Sequence, residues 1–498
     1  MKACEQFAAM EDIMSRQNLT LLTDFYELTM MQGYFNNKTN ETVVFDAFYR
    51  ENPSGSGYAI CAGLEQVIDY IKNLHFEEED IEYLRSLKIF GEGFLSYLKN
   101  FKFTGDIYAI PEGTVVFPME PLVKVVAPIM EAQLIETAIL NLINHQSLIA
   151  TKASRVVYAA KGEPVMEFGL RRAQGPDAGT LGARAAVIGG CIGTSNVLCA
   201  KLYNVPALGT HAHSWIMSFD DELTAFREYA NLYPQNPTLL VDTYDTLRSG
   251  VPNAIKVFEE IRESGTMPTK YGIRLDSGDL AYLSKKAKKM LDAAGFQDAG
   301  ICASSDLDEY LIDSLKTQGA AIDSWGVGTN LITSKDCPAF GGVYKLAAIK
   351  KDGVFIPKIK LSENQWKITN PGNKTVYRVY DKESGKIKAD LIALVGEKYN
   401  DESPLLLFDP LATWKKTYLK ASSYTMRELL IPVFKNGQCV YTSPSVMDLR
   451  DYCTSELDTL WDETKRLVNP HNVYVDLSNE LFHLKNQLLD SVNANSHN

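Results

Sequence analysis

The sequence predicts an α/β fold in which a run of strand–helix units is set between two β-rich stretches. Three observations carry this. Between residues 151 and 349 short apolar segments alternate with amphipathic ones. From the second onward, the apolar segments recur about every 25–35 residues, the pitch of a strand–helix unit. Each ends in polar or glycine-rich residues, and the flanking stretches instead place strands next to one another with turn signals between.

The elements follow in order. Leu21 to Met30 (LLTDFYELTM) reads as the start of a helix with Thr23 or Asp24 as N-cap. Thr42 to Tyr49 (TVVFDAFY) reads as a strand, and Asn52 to Gly57 (NPSGSG) as a turn. Amphipathic helices are expected near Leu64 to Leu74 and Glu78 to Leu87, then strand-like pieces from Thr104 to Val126, broken at Pro111-Glu112-Gly113. A helix from Ala132 to Ser154 leads into the repeating part. Its strand ends are Glu167-Phe168-Gly169, Leu208-Gly209-Thr210, Val241-Asp242-Thr243, Ile273 to Asp279, Ser304-Ser305-Asp306 and Val327-Gly328-Thr329. Helices such as Ala254 to Ser264 and Leu280 to Ala294 lie between. A barrel with its site on one rim and a doubly wound open sheet share this period, and six strand ends rather than eight make any barrel irregular. Past Lys350 strands and turns return, with Asn370 to Asn373 and Ser384-Gly385 as turn signals. These strands, from about 350 to 440, complete the domain begun by residues 1–150, which is thus discontinuous. Residues 151–349 form the catalytic domain, and 441–498 a mostly helical, polar-faced extension.

The chain has 498 residues, 45% hydrophobic and 22% charged, which is ample for two or three packed domains. A formal net charge of −12 disfavours a non-specific grip on nucleic acid or anionic membrane. The eight cysteines, from Cys4 to Cys453, have no CxxC or disulfide-framework spacing, and most sit in apolar contexts as free thiols. With no signal peptide and no apolar run of membrane-spanning length, the expectation is a cytoplasmic protein.

Leu208 to Trp215 (LGTHAHSW) packs His211 and His213, two of the protein's seven histidines, into three residues at a strand end. HxH there suits a divalent-metal hydrolase, but that chemistry needs further histidines at later strand ends, and none occurs between Trp215 and His471. Two readings remain: structural histidines making hydrogen bonds, or an imidazole that accepts a phosphoryl group. In Arg274-Leu275-Asp276-Ser277-Gly278-Asp279, the arginine offers a planar fork for a carboxylate or phosphate. The two aspartates suit Mg²⁺ through water or ribose hydroxyls. Capping of the next helix by Asp276 or Ser277 would explain one of these residues but not the cluster. Ser304-Ser305-Asp306 and Gly326 to Thr329 end late strands, where backbone N–H groups bind phosphate or simply form turns. Arg171 and Arg172 follow another apolar strand and suit a polyanion. Leu239 to Thr246 (LLVDTYDT) lacks the adjacent acids and Thr-Gly of the common phosphoribosyltransferase loop, and no GxxxxGK[ST] occurs, so an ATP site here is not a P-loop.

Together LTDFYELTM, PEGTVVFPMEPL, FGLRRAQGPDAG, GTSNVL, GTHAHSW, IRLDSGDL, GVGTNLITS and GGVYKL resemble the nicotinate phosphoribosyltransferases, from about residue 20 to 350, and YVDLSNELFHLKNQLL near the C-terminus fits as well. The resemblance implies an irregular α/β barrel of the type II phosphoribosyltransferase kind with a discontinuous, open-faced α+β sandwich domain. It implies transfer of phosphoribose from 5-phosphoribosyl 1-diphosphate to nicotinate, giving nicotinate mononucleotide and pyrophosphate. It also implies Mg²⁺, coupled ATP hydrolysis through a phosphohistidine, a place in NAD salvage, and a homodimer whose sites are shared, the N-terminal tyrosine coming from the partner. Residue by residue, His213 matches the phosphorylated histidine, and Tyr26, Thr210 and Arg274 match the nicotinate contacts. Thr329 matches a phosphoribosyl-diphosphate contact, and Arg171, Asp276, Asp279, Ser304 and Gly328 are placed by motif and chemistry. Mg²⁺ would be held mainly by substrate, with Asp276 and Asp279 as candidate protein ligands. His211 receives no catalytic role. The rival readings are the same transfer to nicotinamide or quinolinate, a metal-dependent barrel hydrolase, and a non-catalytic nucleotide sensor.

Overall fold

The structure, a computed structural model, describes residues 18–364 and 367–495, with side chains to residue 491. Cys4 lies outside them. Chain contacts divide it into two units. The first combines residues up to 148 with 339–445 and the chain from 452 onward; the second comprises 149–338 and 446–451.

The second unit is built on a parallel sheet. Its strands, in spatial order, are Val165–Glu167, Ser324–Val327, Gly300–Ala303, Gly272–Leu275 and Thr238–Leu240. Single parallel bridges extend it past Glu167 to Thr194 and from Thr194 to Ala207. Leu239, Leu240, Ile273, Ile301 and Trp325 are all fully buried, which is why these short strands read as continuous apolar runs rather than alternating ones. Helices Val251–Glu263, Leu280–Ala293 and Glu309–Thr317 supply the crossovers. Gly272 is required by close approach, since a Cβ there would lie 2.1 Å from the Gly300 carbonyl oxygen on the neighbouring strand.

The first unit carries a seven-stranded antiparallel sheet: Val354–Pro357, Val343–Lys351, Thr42–Phe48, Val123–Pro128, Asp106–Ala109, Ile431–Lys435 and Gln438–Cys439. Thr42–Phe48 lies inside it, with Val43 opposite both Ile349 and Ala127. All but the first of its residues are buried, so the one acid in the run needs a partner; Lys374 Nζ lies 2.7 Å from Asp46 Oδ2. A second sheet orders Tyr424–Glu428, Lys374–Asp381, Ile387–Leu394 and Tyr474–Leu477, the last pair parallel. Tyr474–Leu477 is a strand within the stretch whose composition reads as helical; helices Val446–Asp458 and Asn479–Asn495 flank it. The helix expected from Ala132 to Ser154 is two, Ile129–Leu134 and Glu136–Ala159. Among the described residues no helix is long and apolar enough to cross a membrane. Five of the seven described cysteines are buried and all seven are free thiols.

Candidate active site

The carboxyl ends of the parallel strands gather Thr210, His211, His213, Asp242, Thr243, Arg274, Asp276 and Ser304. Arg274 sits one residue before the end of its strand, its side chain 13% exposed. Its Nη1 donates to the Thr210 hydroxyl and, at 3.2 Å, to the His211 carbonyl, while Nη2 lies 3.6 Å from Asp276 Oδ1. Its buried Nε has no hydrogen-bond partner, so the guanidinium keeps donor capacity for an incoming acceptor.

The two histidines separate cleanly. His211 is nearly buried; its Nε2 accepts from the Leu240 N–H at 3.2 Å, and its ring lies 4.4 Å from that of Tyr229. Burial pushes its pKa down to about 4, against a smaller opposing pull from the Ala212 carbonyl. It is a neutral imidazole that ties the 207–211 segment to the edge strand Thr238–Leu240. His213 is the more exposed of the two, 39% at its side chain. It opens the short helix His213–Met217. Its Nδ1 lies 3.1 Å from the Thr243 hydroxyl and its Nε2 3.8 Å from Asp276 Oδ2, beyond hydrogen-bond reach.

Asp276 accepts from the Ser304 hydroxyl of the next strand end. Its backbone N–H donates to Asp242 Oδ2 at 2.8 Å, as does the Ser277 hydroxyl at 2.7 Å, while Asp242 Oδ1 is buried without a hydrogen-bond partner. The acid beside Asp276 is thus Asp242 from the adjacent strand. Asp279 is exposed and caps helix Leu280–Ala293 by accepting from the Tyr282 N–H at 2.9 Å. The cap that composition assigned to Asp276 or Ser277 therefore falls to Asp279, leaving Asp276 free to face the histidine.

Two loops stand further along the same strand ends. Asn330 Nδ2 donates to the carbonyls of Asp306 and Leu307, joining the Ser304 loop to the Gly328-Thr329 loop. Beneath them Lys152 lies 2.7 Å from both Glu309 and Asp336, and Arg155 Nε 3.0 Å from Glu309, with Lys152, Arg155 and Glu309 all buried. Gly326 admits the Phe168 ring; a Cβ there would lie 2.6 Å from it. Arg171 is exposed on the short turn Leu170–Arg172, whose entry is held by buried Glu167, which accepts from the Gly169 N–H and the Thr194 hydroxyl. Burial raises the Glu167 pKa.

Tyr26 belongs to the first unit. Helix Phe25–Asn36 exposes it together with Phe25 and Met30, and burial, then the Glu136 carboxylate, raise its hydroxyl well above the ordinary tyrosine range. Sequence reasoning missed Asp242, Thr243 and the Lys152–Glu309 pair. Asp242 and Thr243 stand at a recognised strand end and were legible there; nothing in the local sequence marks Lys152.

The family models match in chain order: the nicotinate phosphoribosyltransferase N-terminal domain over residues 21–144, the nicotinate phosphoribosyltransferase family over 164–375, and the C-terminal domain over 373–485. The chain belongs to the nicotinate phosphoribosyltransferase family. It is 46% identical over 478 residues to nicotinate phosphoribosyltransferase of Bacillus subtilis (strain 168), covering 96% of each chain. Among solved structures it is similar to human nicotinic acid phosphoribosyltransferase, with TM-score 0.82 and 29% identity, covering 94% of this chain and 99% of that one. It shares its fold with a nicotinate-nucleotide pyrophosphorylase from Pyrococcus furiosus, at TM-score 0.68 and 23% identity over 89% of this chain and 96% of that one.

Proposed function

We propose that the chain transfers phosphoribose from 5-phosphoribosyl 1-diphosphate to nicotinate, releasing nicotinate mononucleotide and pyrophosphate for NAD synthesis. The observation that carries this reading is Arg274, a nearly buried guanidinium braced by Thr210 with an unpartnered Nε at a parallel strand end. Such a group recognises a planar carboxylate, which nicotinate has and nicotinamide lacks. The pyridine nitrogen already carries a free lone pair, so no general base is needed. The N–C1 bond forms as the C1–oxygen bond to pyrophosphate breaks, and the electron pair leaves on the pyrophosphate oxygen. The residues at the strand ends hold nitrogen and C1 in line. The linked Ser304 and Gly328-Thr329 loops are assigned to the phosphates, with exposed Arg171 adding positive charge.

The donor set fits Mg²⁺. Asp242 and Asp276 offer hard carboxylate oxygens, one buried without a hydrogen-bond partner. That suits an ion that keeps water and substrate oxygens, with Asp242 taking the place given to Asp279. When bound, the ion supplies charge stabilisation to the departing pyrophosphate.

ATP coupling is assigned to His213. With Nδ1–H donated to Thr243, Nε2 keeps its lone pair and attacks the γ-phosphorus of ATP. The P–N bond forms as the bond to the β,γ-bridging oxygen breaks, ADP leaves, and water later cleaves the phosphohistidine to phosphate. His211 is given no part in this step, a reading supported by the engagement of its Nε2 with the Leu240 N–H. The irregular barrel reading draws on the parallel order extended through Thr194 and Ala207 and on the His211–Leu240 bond, which links the two ends of that order. A homodimer with Tyr26 supplied across the interface is supported by the exposed apolar face at Phe25, Tyr26 and Met30.

The test is pyrophosphate release from 5-phosphoribosyl 1-diphosphate and Mg²⁺ with nicotinate, nicotinamide or quinolinate, each with and without ATP. Turnover on nicotinate alone, stimulated by ATP, is expected. Preference for nicotinamide overturns the Arg274 assignment, and no turnover on any acceptor overturns the activity.

A further inference from the structure

We propose that the first unit holds a separate binding site for a ring-bearing organic anion of mononucleotide size, anchored on Lys485. A cavity of about 600 Å³ is lined by residues of this unit alone, within the range of small-molecule pockets. Ile392 and Leu477, in register on the parallel pair Ile387–Leu394 and Tyr474–Leu477, share its apolar wall with Phe117. These three are buried and form the floor; the apolar surface open to a flat ring is that of half-buried Ile368, Val473 and Val475 and of exposed Leu411.

Lys485, on helix Asn479–Asn495, supplies the polar anchor. Its Nζ donates to Asn370 Oδ1 at 2.8 Å, and among the described residues it pairs with no carboxylate. An ammonium has three donors, and a largely buried one without a counter-charge is costly. Burial and neighbouring Lys374 hold it down at about 8; Lys374 itself is already paired with Asp46. The other charges on the lining are Arg50, whose buried Nε has no hydrogen-bond partner, Glu51, and Asp409, which already accepts from the Leu411 N–H. An anion would therefore complete Lys485.

The walls are preformed. Met119, a non-glycine residue at φ 75°, is fixed by its N–H to the Tyr49 carbonyl at 2.8 Å. Gly57 lies so close to the chain at 464 that a Cβ would be 2.4 Å from the Thr464 carbonyl oxygen. The inference does not rest on the activity proposed above.

The probe is adenosine 5′-monophosphate, titrated by calorimetry into the full-length protein with and without saturating 5-phosphoribosyl 1-diphosphate. Expected is one site per chain that persists with the diphosphate present. Adenosine and inorganic phosphate should each bind at least about tenfold more weakly, the loss expected for a charge-assisted contact or for the ring. Lys485→Met should weaken the nucleotide by at least about tenfold at unchanged melting temperature. Leu411→Trp, which fills the exposed rim and leaves Lys485 intact, should weaken it too and serves if the first variant fails to fold. Wild-type affinity in a folded Lys485→Met or in Leu411→Trp, complete displacement by the diphosphate, or no binding to the wild type would overturn the proposal.

Discussion

Replacing Arg274 by glutamine removes the charge and the fork while keeping most of the side chain's length. In the folded protein the guanidinium holds the Thr210 hydroxyl and the His211 carbonyl and keeps a free Nε. A hydrogen bond to a charged group contributes roughly 1.5–3 kcal/mol, so loss of the nicotinate carboxylate's partner should raise KM for nicotinate about 10- to 150-fold. The effect should fall on KM with kcat within a few-fold, because the carboxylate lies outside the bonds that change. Part of any loss could come from the Thr210 hydroxyl and His211 carbonyl left behind. A double-mutant cycle with Thr210→Val separates the two, with coupling of about 0.5–3 kcal/mol expected for groups in contact. Initial rates of pyrophosphate release at varied nicotinate are the assay, with KM for 5-phosphoribosyl 1-diphosphate as the constant that should not notice the change. An Arg274→Gln enzyme of wild-type melting temperature and unchanged KM for nicotinate would refute the assignment.

Three further outcomes are expected. His213→Ala should lose ATP hydrolysis and ATP stimulation while retaining slow transfer; full stimulation in that variant would exclude the phosphohistidine. His211, held at about 4 against an ordinary value near 6.5, resists the proton that the unfolded chain takes up between those values. Its contribution is therefore complete above about pH 6.5 and falls by roughly 3 kcal/mol as the pH drops to 4. Urea unfolding across that window should show a shallower acid loss in His211→Gln than in the wild type, and equal slopes would contradict the neutral-pin role. Lys152→Met breaks a buried ion cluster, for which a loss of about 3–5 kcal/mol in urea unfolding is expected. In enzyme that remains folded, KM for phosphoribosyl diphosphate should rise while KM for nicotinate holds; a rise in both would detach the cluster from the phosphate loops.

Much of this was legible because the strand ends announce themselves. Each apolar run stops at residues that cannot continue it, and IRLDSGD and GTHAHSW stand at two such stops, so the meeting of Arg274 with Thr210 follows from their shared edge. What stayed hidden depends on partners far apart in the chain. Asp242 looked unremarkable without its adjacent acid, yet the Asp276 N–H and Ser277 hydroxyl reach it from 34 and 35 residues away. The capping role was misplaced by two or three residues, since Asp276, Ser277 and Asp279 are all competent caps and only the backbone selects Asp279. Tyr474–Leu477 was read with its helical neighbours because four residues are too few to show an alternating period. Lys152 lies in a helix whose residues 146–156 are all buried, although a lysine ordinarily faces water; the acids that pair with it, Glu309 and Asp336, come more than 150 residues later.

The pairing of Thr42–Phe48 with both Val123–Pro128 and Val343–Lys351 has a consequence for biosynthesis. One neighbour leaves the ribosome soon after the strand itself, but the other waits for the whole intervening unit. At about 5–20 residues per second that delay is roughly 10–40 s. Throughout it a strand that ends as the middle of a sheet is a naked edge, rich in valine and phenylalanine. The nascent chain is thus most vulnerable to aggregation while the second unit is being translated, and slowing the ribosome there should lower soluble yield more than slowing it anywhere after residue 351.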